Sequence, residues 1–348
     1  MPNPVLVEVL RGTTVESAHC GSIAVVDADG TLVAARGDIS RLVFPRSAVK
    51  VLQALPLITT GAADRLQLND AELAIACASH SGEPEHVATA LGMLKKAGMD
   101  ASTLECGTQW PARESVLRGM FSRCEVAGPE HNNCSGKHAG FVCVACQMAL
   151  QQGSDPAVFV RGYVQAEHPV MREVSATLAA ATDTDLSKMP SGIDGCSIPT
   201  YAIPLKQLAL AFARVGTGLG LSPERAVAAK RLRQAVARAP FMIGGSGRFD
   251  TQVMAQLGER VFCKVGAEGV YCASLPELGY GVALKIDDGN ARGAEVAMAA
   301  MLQALLACNE ADQQVLETLS QPVLRNWNNT VIGSLRPSTQ LKTLSLEL

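Results

Sequence analysis

Stretches with strand character stand at both ends of this chain, and nearly everything between them has helical length and period. Residues 4–10 read as a strand. Residues 21–36 read as a hairpin, with 22–26 and 31–35 joined through Asp27-Ala28-Asp29-Gly30, whose Asp-Gly favours a tight turn. A short strand near Leu42-Val43-Phe44 follows, and then the period changes. From Val49 to about Arg238, apolar residues recur at helical spacing between capping residues. Asn69-Asp70-Ala71-Glu72 opens one helix, and 83–99, 135–151, 170–181 and 222–238 read as others. Strands return at 260–265, 269–274 and 281–287, before a helix over 293–308 with an alanine-rich face. No repeat or low-complexity linker forces separate domains. The order predicts a single α+β domain: one antiparallel sheet built from both chain ends (about 1–45 and 240–337) with an inserted helical lobe (about 46–239). The tail after Ser338 mixes polar residues with single leucines and reads as loosely held.

At 348 residues, 48% of them hydrophobic, the chain is able to bury a sizeable core. A net charge of −3, with no basic run carrying interleaved aromatics, argues against a nucleic-acid or anionic-membrane surface. The N-terminal stretch lacks the basic start and apolar core of a signal peptide, and no apolar run is long enough to span a bilayer. The eleven cysteines are odd in number and sit in apolar stretches such as Ala74-Ile75-Ala76-Cys77-Ala78, as reduced buried thiols do. The expected compartment is the cytoplasm.

Several stretches gather reactive residues where core patterning should rule. Phe44-Pro45-Arg46-Ser47-Ala48-Val49-Lys50 ends a strand and opens a helix with Ser-x-x-Lys, which would set Lys50 over the turn that holds Ser47. A serine needs an adjacent base to attack, and a lysine serves only when neutral; the plainer reading is an N-cap serine with a surface lysine. Ala78-Ser79-His80-Ser81-Gly82-Glu83 interrupts an apolar run, either as a helix start capped by Ser81 or as a loop presenting hydroxyls, an imidazole and a carboxylate. In His131-Asn132-Asn133-Cys134-Ser135-Gly136-Lys137-His138, the residues Cys134, Lys137 and His138 share one face of a first helical turn. Ser191-Gly192-Ile193-Asp194-Gly195-Cys196 reads as a tight loop ending in a thiol. Cys134, Cys196 and one nitrogen from the 134–138 turn would make a three-ligand zinc site with an open position. Cys143-Val144-Ala145-Cys146 has ligand spacing too, but its apolar helical setting makes it core. Lys264-Val265-Gly266 resembles the Lys-Thr-Gly strand of serine penicillin-binding enzymes and β-lactamases. Together with Ser-x-x-Lys it points to serine acyl transfer.

Phe-Pro-Arg-Ser-x-x-Lys at 44–50, Ser-His-Ser-Gly-Glu at 79–83, Asn-Asn-Cys-Ser-Gly-Lys-His at 132–138, Asp-Gly-Cys at 194–196 and Lys-Val-Gly at 264–266 follow in the order seen in rhizobial-type (class 3) L-asparaginases. The chain resembles this asparaginase II family over essentially its whole length. The resemblance implies a serine β-lactamase/glutaminase-like fold and hydrolysis of L-asparagine to L-aspartate and ammonia. It implies two serine–lysine pairs, Ser47 with Lys50 and Ser79 with Lys264. It also implies a zinc ion held by Cys134, Lys137 and Cys196, in a homodimer. Chemistry alone favours His138 as the nitrogen ligand; the family pattern favours Lys137 and leaves His138 to orient neighbours or substrate. Because L-asparagine is a zwitterion, Arg46 is the expected partner of its carboxylate and Asp194 or Glu83 of its ammonium, with His80 on the same polar loop as Ser79. The competing expectations are another serine acyl-transfer amidohydrolase, glutaminase or β-lactamase-like, and a non-catalytic zinc- or amino-acid-binding protein.

Overall fold

The strands read at the two chain ends pair into one sheet in the computed structural model, which describes residues 2–346. Its strands are β1 (Val5–Arg11), β2 (Thr14–Asp27), β3 (Leu32–Arg36), β4 (Phe262–Val265), β5 (Val270–Leu275), β6 (Tyr280–Ile286), β7 (Val323–Arg325) and β8 (Val331–Pro337). They run β7-β8-β1-β2-β6-β5-β4, with β3 also on β2, and every pairing is antiparallel. Val9 lies opposite Leu335, so the first and last strands of the chain are neighbours. The α+β class, with its antiparallel sheet from both ends and a helical insert, is as expected. The hairpin turn closes as its composition predicts: the Asp27 carboxylate accepts the Asp29 and Thr31 amides at 3.0 and 2.8 Å. β2 begins at Thr14, well before the hairpin start read from sequence, because its first five residues are exposed and lack apolar alternation.

Contacts divide the chain into two compact units. The sheet unit holds the chain up to Ala48, Ile203–Leu219 and the chain from Gln256. The segment 203–219 falls within the span expected to be helical lobe. Instead, Ile203–Pro204 pairs with Leu42–Val43, and the Leu205–Thr217 helix packs on β2, β5 and β6. Helical period alone does not say which surface a helix covers. Gly281 makes this packing possible, since a Cβ there would stand within 2 Å of the Ala209 carbonyl oxygen, at 1.9 Å. The tail corrects the sequence expectation. Thr339–Leu346 is a helix whose Leu341 and Leu344 are fully buried, and the Ser338 hydroxyl donates to the Val5 carbonyl at 2.6 Å. Leu341 and Leu344 stand three residues apart, a spacing that puts them on one helical face.

The second unit, Val49–Ala202 with Gly220–Ala255, is helical. Two of its helices start where the sequence places caps: Asn69 and Glu72 form a reciprocal capping box, and Ser222 caps Pro223–Arg238. The Ser135–Gln151 helix is buried on nearly every face, packed among Lys50–Thr59, Asp70–Ala76 and Pro84–Lys96. Cys143 and Cys146 are buried within it, and burial raises both thiol pKa values. They are core. Among the described residues, no helix is long and apolar enough to cross a membrane.

Candidate active site

Lys50 is the first residue of the Lys50–Thr59 helix and is only 1% exposed. A buried ammonium or amine must find partners, and this one donates to the Ala78 carbonyl at 2.5 Å and meets the Ser79 hydroxyl at 3.0 Å. Ser79 stands just past the Asp70–Ala76 helix, where its amide donates to the Ile243 carbonyl at 3.0 Å. The lysine that follows Ser47 in Ser-x-x-Lys is thus hydrogen-bonded to the second serine.

Cys134, Lys137 and Cys196 come together from the first turn of Ser135–Gln151 and the loop after the short strand Ser191–Ile193, all three buried. Lys137 Nζ donates to Cys196 Sγ at 3.0 Å. A hydrogen bond from Cys196 outweighs burial and holds the Cys134 thiol well below its ordinary pKa, with help from the Lys50 and Lys137 charges; Cys196 correspondingly keeps its proton. Burial works against a charged Lys137, yet Cys134 and Cys196 more than offset it and its pKa rises. Tetrahedral zinc would set a sulfur and a nitrogen ligand about 3.5 Å apart, so these side chains would part by about 0.5 Å to admit one. Two thiols and an amine, converging and shielded from water, fit such an ion once Lys137 and Cys196 each give up a proton. Among the described residues, no group of three His, Cys, Asp or Glu side chains is placed to hold a metal. A zinc site here therefore depends on the lysine.

The other expected binding residues in this unit are His80, Glu83, Asp194 and His138. His80 Nδ1 accepts the Gly82 amide at 3.2 Å, so its Nε2–H faces the Ser135 hydroxyl at 3.0 Å, and burial holds the ring neutral. Both His80 nitrogens are committed. Both Glu83 oxygens hold Ser246, taking its amide and its hydroxyl at 2.8 Å each. Glu83, rather than Ser81, is the N-cap of Pro84–Lys96, and Ser81 donates to the Gly244 carbonyl at 2.8 Å. Asp194 turns the loop, its carboxylate accepting the Gly195 amide at 2.7 Å, and its charge helps raise the Lys137 pKa. His138 is fully buried, and burial depresses its pKa well below the ordinary imidazole value. Its Nδ1 lies 2.7 Å from the Tyr163 hydroxyl, while Nε2 has no partner among the described residues. Tyr163 went unread in the sequence because nothing around Val160-Arg161-Gly162-Tyr163 marks it as more than core.

Arg46, Ser47 and Lys264 lie in the sheet unit. Arg46–Val49 is a single tight helical turn, and Arg46 holds φ at +50°, a left-handed strain that non-glycine residues accept mainly at functional sites. Ser47 is half-buried, whereas Lys264 in β4 is fully buried and donates to the Val265 carbonyl at 3.0 Å. Gly266, just past β4, is pressed against this turn: a Cβ there would stand 2.5 Å from the Pro45 carbonyl oxygen and 3.3 Å from Ala48 Cβ. The glycine of Lys-Val-Gly serves the close approach of strand and Ser47 turn.

A family model for L-asparaginase II matches residues 7–337. No curated protein matches the chain. Among solved structures it is similar to Mglu, at 15% identity and a TM-score of 0.33, over 79% of this chain and 64% of that one. It is also similar to a β-lactamase from Mycobacterium bovis, at 12% identity and a TM-score of 0.36, over 79% of this chain and 89% of that one. The chain thus spans less than two thirds of Mglu, 64% of its length. On the match over residues 7–337, the chain belongs to the L-asparaginase II family.

Proposed function

We propose that this protein hydrolyses L-asparagine to L-aspartate and ammonia through an acyl-enzyme formed on serine. The observation that carries the reading is the buried Lys50 amine on a serine hydroxyl at 3.0 Å, in a chain of this family. In this reading Ser47 attacks the side-chain amide carbon and neutral Lys50 takes the proton. Ser79, bonded to Lys50, and Lys264 carry protons toward the departing ammonia. Hydrogen-bond donors stabilise the oxyanion, and water then hydrolyses the aspartyl ester. Arg46 receives the substrate carboxylate. Asp194 or Glu83 receives the ammonium.

Zinc belongs to the same reading, held by Cys134, Lys137 and Cys196. When bound it supplies a cation that orients and polarises substrate oxygens. The cytoplasm and a homodimer also belong to it, the latter expected at twice 36.5 kDa by sedimentation.

A second assignment has its own observation. Lys50 is bonded to Ser79, so Ser79 as nucleophile with Lys50 as base is the direct alternative. Ammonia release from L-asparagine, L-glutamine and β-aspartyl peptides, with and without chelator, separates the readings. Ser47→Ala should abolish turnover with the fold intact. Most activity surviving in Ser47→Ala moves the nucleophile to Ser79, and a wild-type protein that releases no ammonia from L-asparagine ends the proposal.

A further inference from the structure

We propose that Tyr163 is a positioning residue: it fixes the tautomer of His138 so that Nε2–H becomes a buried, unmatched donor for an anionic oxygen of the ligand. The inference rests on the serine–lysine amidohydrolase reading for its ligand, but not for its geometry. The Tyr163 ring is fully buried, and its hydroxyl oxygen accepts the Glu105 amide at 2.9 Å. Its own proton therefore needs an acceptor, which His138 Nδ1 provides at 2.7 Å. That leaves the imidazole hydrogen on Nε2. The opposite tautomer would strand two groups, the phenol hydrogen and the Nε2 lone pair, where this one strands only Nε2–H. The difference of one buried unmatched group favours Nε2–H by about tenfold.

Buried polar groups without partners are rare, and a persistent one calls for a reason. His138 follows Lys137 directly, and its ring is held edge-on by Phe141 and Tyr163 at 5.5 Å each. A buried N–H with no acceptor suits a carboxylate or oxyanion better than a cation or an apolar group. By contrast, the other buried histidines of this unit, His80 and His86, satisfy both nitrogens within the protein. Among the buried histidines of the described residues, only His138 is left with a donor to spare.

The test uses the full-length protein labelled with ¹⁵N. Two-bond ¹H–¹⁵N spectra near pH 7.5 report the tautomer, with His138 assigned by its loss in His138→Gln. The expected wild-type pattern is Nε2–H, with that nitrogen shifting when L-aspartate is added. Tyr163→Phe should mix the tautomers and lower kcat/KM for L-asparagine by about tenfold. Glutamine at 138 carries its own amide donor, so adding Tyr163→Phe to His138→Gln should change kcat/KM less than twofold. A wild-type Nδ1–H pattern, an unchanged tautomer in Tyr163→Phe, or equal losses on both backgrounds overturns the proposal. If Tyr163→Phe does not fold, the wild-type spectrum with and without L-aspartate decides. If the protein releases no ammonia from L-asparagine, the tautomer and its change in Tyr163→Phe still decide this inference apart from that activity.

Discussion

Gly136→Ala should disarm the site out of proportion to its effect on stability. Gly136 lies in the first turn of the Ser135–Gln151 helix, between Cys134 and Lys137. An alanine Cβ there would stand 2.5 Å from the Ile75 carbonyl oxygen and 2.6 Å from Ile75 Cγ1, where ordinary contact begins at 3.4 Å. The helix start must therefore retreat by about 0.9 Å. Overpacking of this kind costs about 1–3 kcal/mol, and alanine's better helix propensity offsets about 1 kcal/mol of it. The net loss of stability is about 0–2 kcal/mol. The same displacement moves Cys134, Lys137 and His138, and a misplacement of about 1 Å at a reacting centre lowers rates about 100-fold. Gly140→Ala, one turn on, is the control: its Cβ would meet Ala76 Cβ at 3.4 Å and Leu57 Cδ2 at 3.7 Å, which is ordinary packing. It should keep wild-type turnover and gain up to about 1 kcal/mol. Ammonia release, zinc content and urea unfolding are read on all three proteins. If Gly136→Ala turns over L-asparagine and holds zinc like wild type, or if both alanines behave alike, the close-approach reasoning is wrong.

Cys134→Ala removes one of three donors and should lower zinc per chain at least tenfold by elemental analysis. Because Lys137 and Cys196 must each lose a proton to bind zinc, zinc affinity in wild type should rise with pH above neutrality; a flat titration from about pH 7 to 9 contradicts this ligand set. Stability has its own pH signature. His80 and His138 are held neutral by burial, so their folded pKa values lie below the unfolded value of 6.5. Their contribution is complete above that value and is lost as pH falls, because the unfolded chain then binds the extra protons, at about 1.4 kcal/mol per pH unit for each histidine. Urea unfolding free energies that stay level from pH 6.5 to 5 would refute this.

Much of the architecture was legible because it is written in local chemistry. Asp27 and Gly30 close their turn, Asn69 and Glu72 cap their helix, and the apolar run 135–151 becomes a largely buried helix. Elements whose pattern is weak carry no such local signal. The exposed start of β2 has no alternation, and Leu341 and Leu344 share a side only because the tail is helical. Of the expected binding residues, His80 and Glu83 drew attention because they are polar residues in an apolar setting. That same feature describes a residue holding a loop in place, which is what their hydrogen bonds do.

The sequence by itself determined the order and spacing of the reactive residues. It therefore determined that Cys134, Lys137 and His138 share a helical turn and that Lys50 opens a helix just after Ser47, since neighbours a few residues apart are placed by backbone geometry alone. Partners far apart in the chain were decided by tertiary structure. Lys50 reaches Ser79 across a separation of 29 residues, Lys137 reaches Cys196 across 59, and Tyr163 reaches His138 across 25. The physical reason is that a buried polar group takes whichever partner packing brings within about 3 Å. No local pattern encodes that choice, and it is the choice that sets which serine meets Lys50 and which nitrogen of His138 keeps its proton.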